Sequence, residues 1–207
     1  MSSTAVRRGA AVSGLLLVLF LVAHLGGLIP SLVAPAQFEA YASALHRSAW
    51  LPVLEIGLLA TALVHLSLTA QKLMANRRAG NSAALRSRRT DGIGALAARS
   101  KALAGLVSLG FLLLHLQQLR WPRPADGHEK AQLLAVLQDP LMLSLYLAGA
   151  LSIGLHLLHG HESAHRSIGV LTPSNSLWLR RMGRLLAVLL SSGFVVISLA
   201  LALEAHP

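Results

Sequence analysis

Four histidines, each in a different apolar stretch of the chain, are the residues best placed to do chemistry. His24, His65, His115 and His156 lie in the segments LVAHLGG, ALVHLSL, LLLHLQQ and IGLHLLH. An imidazole among apolar residues costs free energy unless it has a partner, so a histidine at membrane depth indicates a functional site. One histidine on each of four helices is the arrangement that holds two flat cofactors, each bound from both faces.

Long apolar stretches carry these histidines and predict membrane-spanning helices. Apolar residues make up 54% of the chain and charged residues 13%, and the mean hydropathy is +0.61, far from the balance of a soluble domain. A helix needs roughly 20 apolar residues to cross the hydrocarbon core. Five stretches meet this length, at about 11–33, 51–73, 101–119, 140–159 and 185–203. We therefore predict an all-α integral membrane protein in which residues 1–207 form a single membrane domain.

Basic residues are distributed unevenly between the two sides of the predicted helices. Of the 18 Lys and Arg residues, 14 lie at the N-terminus and in the segments after the second and fourth helices. These are Arg7, Arg8, Lys72, Arg77, Arg78, Arg86, Arg88, Arg89, Arg99, Lys101, Arg166, Arg180, Arg181 and Arg184. The opposite side holds Arg47, Arg120, Arg123 and Lys130. Because cytoplasmic loops are enriched in Lys and Arg, the N-terminus is predicted to be cytoplasmic. Topology explains most of the net charge of +10, so no nucleic-acid partner is predicted.

The position of each histidine along its helix predicts how deep it lies. At about 1.5 Å of rise per residue, His24 and His115 lie roughly 20 Å from the cytoplasmic face, in the outer half of the membrane. His65 and His156 lie roughly 10 Å or less from that face. The four histidines therefore divide into an outer pair and an inner pair.

One histidine per helix favours haem over a metal ion held by protein alone. A haem iron takes one axial ligand on each face, whereas zinc or copper needs three or four converging side chains. The chain has no cysteine, which excludes disulfides, iron–sulfur clusters and covalently attached c-type haem. We predict two b-type haems inside an up-and-down bundle of four helices, with the fifth helix peripheral.

A second motif indicates different chemistry. His161, Glu162 and His165 match H-E-x-x-H, in which two histidines bind zinc and the glutamate acts as a base. A third zinc ligand is needed, and the residues after His165 that could supply one are Glu204 and His206, on the opposite side of the predicted membrane. A membrane zinc metalloprotease or transporter is therefore the alternative from a different functional class.

Short motifs run in a fixed order along nearly the whole chain. They are SG at 13–14 before His24, FxxYAxxLH at 38–46, LEIGLL at 54–59, NRR at 76–78, Gly105 before His115, HxxHGxxSA at 156–164, and LRRxGRL at 179–185. In this order, the chain resembles the five-helix dihaem cytochrome b subunit of succinate dehydrogenases and fumarate reductases. His161 and His165 then fall at variable positions of the HGxxSA block.

The resemblance implies a membrane anchor of a respiratory complex II in the bacterial cytoplasmic membrane. Its partners are a flavoprotein subunit and an iron–sulfur subunit on the cytoplasmic face, and its substrate is menaquinone or ubiquinone. The dicarboxylate chemistry is on a partner subunit. His24 and His115 are the expected axial ligands of the outer haem, and His65 and His156 those of the inner haem. His159 is a second possible ligand beside His156. A dihaem cytochrome b of another quinone-linked dehydrogenase is the nearer alternative.

Four polar residues lie near the outer ends of the first two predicted helices. Glu39, His46, Arg47 and Glu55 are where the electron path would end. Each could relay protons, bind a quinone carbonyl or bind a haem propionate. Each could equally be an interfacial residue in contact with water or a helix end, and the residue types do not separate these roles.

Overall fold

The structure is a computed structural model that describes residues 3–80, 92–122 and 124–204. Its helices are α1 (Ser3–Leu28), α2 (Pro30–Val33), α3 (Pro35–Arg47), α4 (Leu51–Arg78), α5 (Gly92–His115), α6 (Glu129–Leu137), α7 (Pro140–Ser167) and α8 (Ser176–Ala202). A π-helical turn, Leu116–Arg120, continues α5. These residues contain no β-strand, which confirms the all-α prediction for them.

Five helices of the described chain are long and apolar enough to cross a membrane: α1 continued by α2, α4, α5 with its π-helical turn, α7 and α8. These five helices include the five apolar stretches predicted from the sequence. The helices extend beyond the predicted ends, α4 to Arg78 and α7 to Ser167. Hydropathy marks the hydrocarbon core, whereas a helix can continue into the aqueous layer with its backbone hydrogen bonds intact.

Local signals fix where the long helices begin and end. The Asp139 carboxylate caps α7 by accepting hydrogen bonds from the backbone N–H groups of Leu141 and Met142, at 2.8 and 3.0 Å. Pro140 follows as the first helical residue, where its missing N–H has no consequence. Gly169, with φ of +83°, ends α7 in the left-handed conformation that glycine adopts without strain.

Four long helices surround the histidines in a defined order. α1 packs against α4 and α7, and α7 packs against α5. Within the described residues, α1 and α5 are not packed neighbours, and neither are α4 and α7. α1 therefore faces α5, and α4 faces α7, across the middle of the bundle. Side chains from these helices therefore meet in the middle of the bundle.

The fifth long helix, predicted to be peripheral, packs along α7 and also reaches α1. Gly154 allows close approach, because a Cβ there would lie 2.8 Å from the Cβ of Ser191. The Ser191 hydroxyl donates to the Ala150 carbonyl at 3.0 Å. Small residues and short interhelical hydrogen bonds are typical of helix packing in membranes.

Most of the apolar surface of the long helices is not covered by the chain itself. Only 6% of the most apolar window of α1 and 28% of that of α8 is buried inside the protein. A membrane covers such surface with lipid tails, whereas water would make it a site of aggregation. The five long helices therefore have the length and composition expected of a multi-pass membrane protein.

Two short helices, α3 and α6, lie at the end where α4 and α7 begin, and sequence reasoning did not predict them. α3 begins at Pro35, with the proline at a favourable position, and contacts α6. The cytoplasmic orientation of the N-terminus stays a prediction. Five residues named in the sequence analysis lie outside the described residues: Arg86, Arg88, Arg89, Arg123 and His206.

Candidate functional site

The structure brings the four intramembrane histidines together as two separate pairs. The ring centroids of His24 and His115 lie 5.9 Å apart, with their planes at 81°. The ring centroids of His65 and His156 lie 6.3 Å apart, with their planes at 82°. Each pair joins two helices that are not packed neighbours, so the rings meet in the middle of the bundle. Their assignment as haem ligands stays a prediction.

His65 of the inner pair is oriented by hydrogen bonds from α1. Its Nδ1 lies 3.1 Å from the carbonyl oxygen of Ala10 and 3.2 Å from the hydroxyl of Ser13. A carbonyl can only accept, so in the neutral ring Nδ1 carries the proton and Nε2 keeps a lone pair. The Ser13 hydroxyl donates to the Gly9 carbonyl at 2.8 Å, which leaves its oxygen to accept from His65. Hydrogen bonding of one ring nitrogen is how proteins orient a histidine that binds metal through the other.

Glycines make room for both rings of the inner pair. A Cβ at Gly14 would lie 2.9 Å from Cε1 of His65, and one at Gly105 would lie 3.3 Å from Cε1 of His156. The first distance is shorter than a carbon–carbon contact allows, so α1 can approach His65 only with glycine at this position. The residues around the inner pair are thus small and polar.

The outer pair is surrounded by aromatic rings. The whole chain has only four Phe and two Tyr residues. Four of these six rings contact a histidine of the outer pair. Phe20 and Phe194 contact His24, with ring centroids 5.3 and 6.0 Å away. Phe111 and Tyr146 contact His115, with ring centroids 5.7 and 5.9 Å away. Among the residues that the structure describes, no Phe or Tyr ring contacts the inner pair. Sequence reasoning missed this cluster, although Phe20 and Phe111 each precede an outer histidine by one helical turn.

Both pairs have the spacing that two ligands on one iron require. Two imidazoles that bind a metal ion from opposite sides, at about 2 Å each, have ring centroids roughly 6 Å apart. His115 adds a second observation, because its Nδ1 is buried and has no hydrogen-bond partner within the described part of the chain. A buried polar atom without a partner is unfavourable and indicates a missing ligand or water. The residues present therefore fit two haems, each with two axial histidines.

Basic residues from three helices lie at the inner end of the inner pair. Lys72 of α4 interacts electrostatically with Lys101 of α5 and with Arg7 of α1. Both lysines also act on His159, which lies one turn beyond His156 on α7. Like charges repel, and an anion bound among them would offset this repulsion. This cluster could hold the carboxylates of a cofactor or an acidic surface of a partner, and it places His159 beside the inner pair.

The four polar residues predicted near the outer face all make contacts within the protein. Glu39 accepts hydrogen bonds from the backbone N–H groups of Glu129 and Lys130, at 3.0 and 2.8 Å, and so caps the N-terminus of α6. His46 Nδ1 lies 2.8 Å from the carboxylate of Glu129. These contacts join α3 to α6, so Glu39 and His46 have a structural function at this surface.

Arg47 and Glu55 make ion pairs farther along the same surface. Arg47 lies 3.3 Å from Asp126, and both side chains are largely exposed. Glu55 accepts two hydrogen bonds from the Arg120 guanidinium, at 2.6 and 2.5 Å. Arg120 closes the π-helical turn that follows His115, so this bidentate pair ties α4 to the end of α5. The role predicted for these residues toward quinone or propionate stays a prediction.

The H-E-x-x-H residues lie in the last turns of α7. The rings of His161 and His165 have centroids 4.3 Å apart, and His165 Nδ1 bonds to the carbonyl of His161 at 2.9 Å. Glu162 lies 2.6 Å from Arg166 and 3.9 Å from Arg180. No group of three or more metal-ligating side chains occurs among residues 3–80, 92–122 and 124–204. Within these ranges, His161 and His165 are therefore not joined by the third ligand that a zinc hydrolase needs.

Comparison of the chain with family models, with curated proteins and with solved structures finds no match. The site is therefore interpreted from its own geometry.

Proposed function

We propose that this chain is the dihaem cytochrome b membrane anchor of a succinate:quinone oxidoreductase, carrying electrons between an iron–sulfur subunit and membrane quinone. The observation that carries the proposal is the two histidine pairs, each bridging non-adjacent helices of an apolar bundle. The order of sequence motifs supports the particular family.

In this proposal, the protein supplies the ligands and haem supplies reversible one-electron transfer. His65 and His156 hold the inner haem, and His24 and His115 hold the outer one. The Ala10 carbonyl keeps His65 in the tautomer whose Nε2 can bind iron. Two histidines per iron leave no open coordination position, so the site suits electron transfer and disfavours oxygen binding.

The distribution of basic residues supports the direction in which the chain is inserted. Arg77 and Arg78 end α4, and Arg166 lies in the last turn of α7. By the positive-inside rule these helix ends face the cytoplasm of a bacterial cell. The flavoprotein and iron–sulfur subunits would bind there, next to the inner haem. The outer haem would then pass electrons to menaquinone or ubiquinone.

The proposal is tested on the complex purified from membranes of cells that express the chain. A reduced-minus-oxidised spectrum should show b-type haem, and succinate should reduce at least part of it while partner subunits remain bound. Haem that is not reduced by succinate, in a complex that lacks a flavoprotein, would assign the chain to a different quinone-linked dehydrogenase. Absence of haem together with stoichiometric zinc would overturn the proposal in favour of a hydrolase or transporter.

A further inference from the structure

The hydroxyl group of Tyr146 is buried beside the outer histidine pair without a hydrogen-bond partner. The residue is 7% exposed, and its oxygen contacts no donor or acceptor among the described residues. A tyrosine hydroxyl buried in an apolar cluster usually has a partner, because leaving it unpaired costs free energy. None of the histidine ligation uses this group. Its position therefore indicates a polar ligand that binds next to the outer pair.

Tyr146 is one of several residues of α7 whose side chains contact α5 and its π-helical turn. Its ring contacts that of His115, and one turn away the amide of Gln118 lies 2.7 Å from the sulfur of Met142. The other atom of the Gln118 amide is buried and unpaired. Residues three or four positions apart on a helix lie side by side. The unpaired oxygen of the Gln118 amide and the unpaired Tyr146 hydroxyl therefore lie at neighbouring contacts between α5 and α7. The Tyr146 hydroxyl can donate to a carbonyl oxygen of a ligand, whereas the Gln118 amide oxygen can only accept, as it would from a ligand hydroxyl.

An apolar groove leads from the lipid-facing surface toward the same cluster. It has a volume of about 310 Å³ and lies between α1, α2 and α8. Three of its lining residues, Leu25, Leu32 and Ile197, also belong to or pack against the buried cluster that contains Tyr146. The groove therefore borders the cluster in which Tyr146 is buried. A ligand that reaches the site by this route must itself be soluble in lipid.

A third unpaired polar group lies at the edge of this groove. Ser31 is fully buried, and its hydroxyl has no partner in the described residues. It lies on α2, whose Leu32 and Val33 line the groove. A fully buried serine hydroxyl without a partner is as unfavourable as the one on Tyr146. Ser31 lies directly before Leu32, which lines the groove.

We propose that the Tyr146 hydroxyl donates a hydrogen bond to a carbonyl oxygen of a lipid-soluble quinone that approaches through the groove between α1 and α8. The inference rests on the proposed function, because the quinone takes electrons from the outer haem. Tyr146 binds and orients the quinone and keeps its own proton. The side chains of Glu39 and His46 hold α3 and α6 together, and their predicted role toward quinone stays a prediction.

The test uses the purified haem-loaded complex and a short-chain naphthoquinol as the electron donor to the haems. Tyr146→Phe removes the hydroxyl and keeps the ring. The quinol concentration that gives half-maximal haem reduction should rise about fivefold to tenfold, which corresponds to one lost hydrogen bond. The haem spectrum and the reduction of haem by dithionite should not change. Tyr41→Phe is the matched control, because it makes the same chemical change at a half-exposed tyrosine and should leave the quinol response unchanged.

A second variant tests the route independently of the hydroxyl. Val196→Trp places a large side chain in the groove from a residue that is 57% exposed, so folding is little affected. Val196→Trp should raise severalfold the quinol concentration that gives half-maximal haem reduction. Val188→Trp is its control, since Val188 is equally exposed on α8 but does not line the groove.

The outcomes separate this inference from the proposed function. If the wild-type protein holds no haem, the proposed function fails. If Tyr146→Phe and Val196→Trp hold two haems and respond to quinol like the wild type, only the quinone site is wrong. If Tyr146→Phe instead shifts the spectrum of the outer haem and leaves the quinol response unchanged, the hydroxyl serves the haem and the inference is overturned.

Discussion

The inner and outer histidine pairs have nearly the same spacing, yet the protein holds them by different means. In the inner pair, hydrogen bonds from the Ala10 carbonyl and the Ser13 hydroxyl orient His65, and glycines bring α1 and α5 close to the rings. In the outer pair, aromatic rings surround His24 and His115. Each pair also contains one histidine, His156 or His115, whose buried Nδ1 has no hydrogen-bond partner among the described residues. Hydrogen bonds to His65 thus position the inner pair, whereas the packing of aromatic rings positions the outer pair.

This difference has a functional consequence within the proposed electron path. A ring with a fixed tautomer presents one lone pair to a metal before any metal arrives, which reduces the cost of binding. A site held by flat apolar side chains adapts more easily, and its unpaired polar atoms can bind a second ligand. The inner site therefore suits permanent haem binding, and the outer site suits both haem and an exchangeable quinone.

The largest expected effect comes from removing one ligand of either pair. His65→Ala should lower the haem content from two per chain to about one and leave the outer haem reducible by quinol. His24→Ala should also leave about one haem, but that haem should respond poorly to quinol. Pyridine haemochrome assays and quinol reduction measure both. If His65→Ala retained two spectrally unchanged haems, the inner assignment would be wrong.

A smaller effect is expected when only the space beside His65 is filled. Gly14→Val should reduce occupancy of the inner haem by half or more, because even its Cβ would lie 2.9 Å from the ring. The outer haem should be retained. Gly26→Val on the same helix is the control, since no atom lies within 4 Å of a Cβ at that position. Equal haem loss in the two variants would mean that general helix destabilisation, and not contact with His65, is the cause.

Removing the Ser13 hydroxyl should change the midpoint potential of the inner haem but not its occupancy. Ser13→Ala removes one acceptor from Nδ1 of His65, so the imidazole donates less electron density to iron. The midpoint potential of the inner haem should rise by roughly 40 mV, since one hydrogen bond is worth about 1 kcal/mol and about 59 mV corresponds to about 1.4 kcal/mol for one electron. A redox titration of both haems measures this, with the outer haem as the internal reference. A shift confined to the outer haem would contradict the pairing.

The smallest effect is expected at the H-E-x-x-H motif. Glu162→Gln removes the carboxylate that pairs with Arg166, a partly exposed contact worth at most about 1 kcal/mol. Haem content and succinate-driven electron transfer should stay within twofold of the wild type. Atomic absorption for zinc provides the control measurement. Loss of activity together with loss of bound zinc would favour the metalloprotease alternative.

The sequence was sufficient to predict the elements whose signal is hydrophobic length. Five apolar stretches predict the five long helices, and depth along them pairs His24 with His115 and His65 with His156, the same rings that contact each other in the structure. This works because a bilayer imposes a common depth scale on all helices, so residues at equal depth can meet.

Features that depend on tertiary contact could not be predicted in this way. α3 and α6 are short, and α6 begins where Glu39 from another helix caps it. Tyr146 reads as an ordinary apolar-helix residue, and only the structure shows that its hydroxyl is unpaired. Each of these features is set by a partner distant in sequence.

The central claim is that each histidine pair holds one haem iron between its two rings. The most direct measurement is the iron and haem content of the purified wild-type chain, combined with low-temperature electron paramagnetic resonance of the oxidised protein. The account predicts two haems per chain, both low-spin with two axial imidazoles. A single haem, a high-spin iron with an open position, or no haem would contradict it.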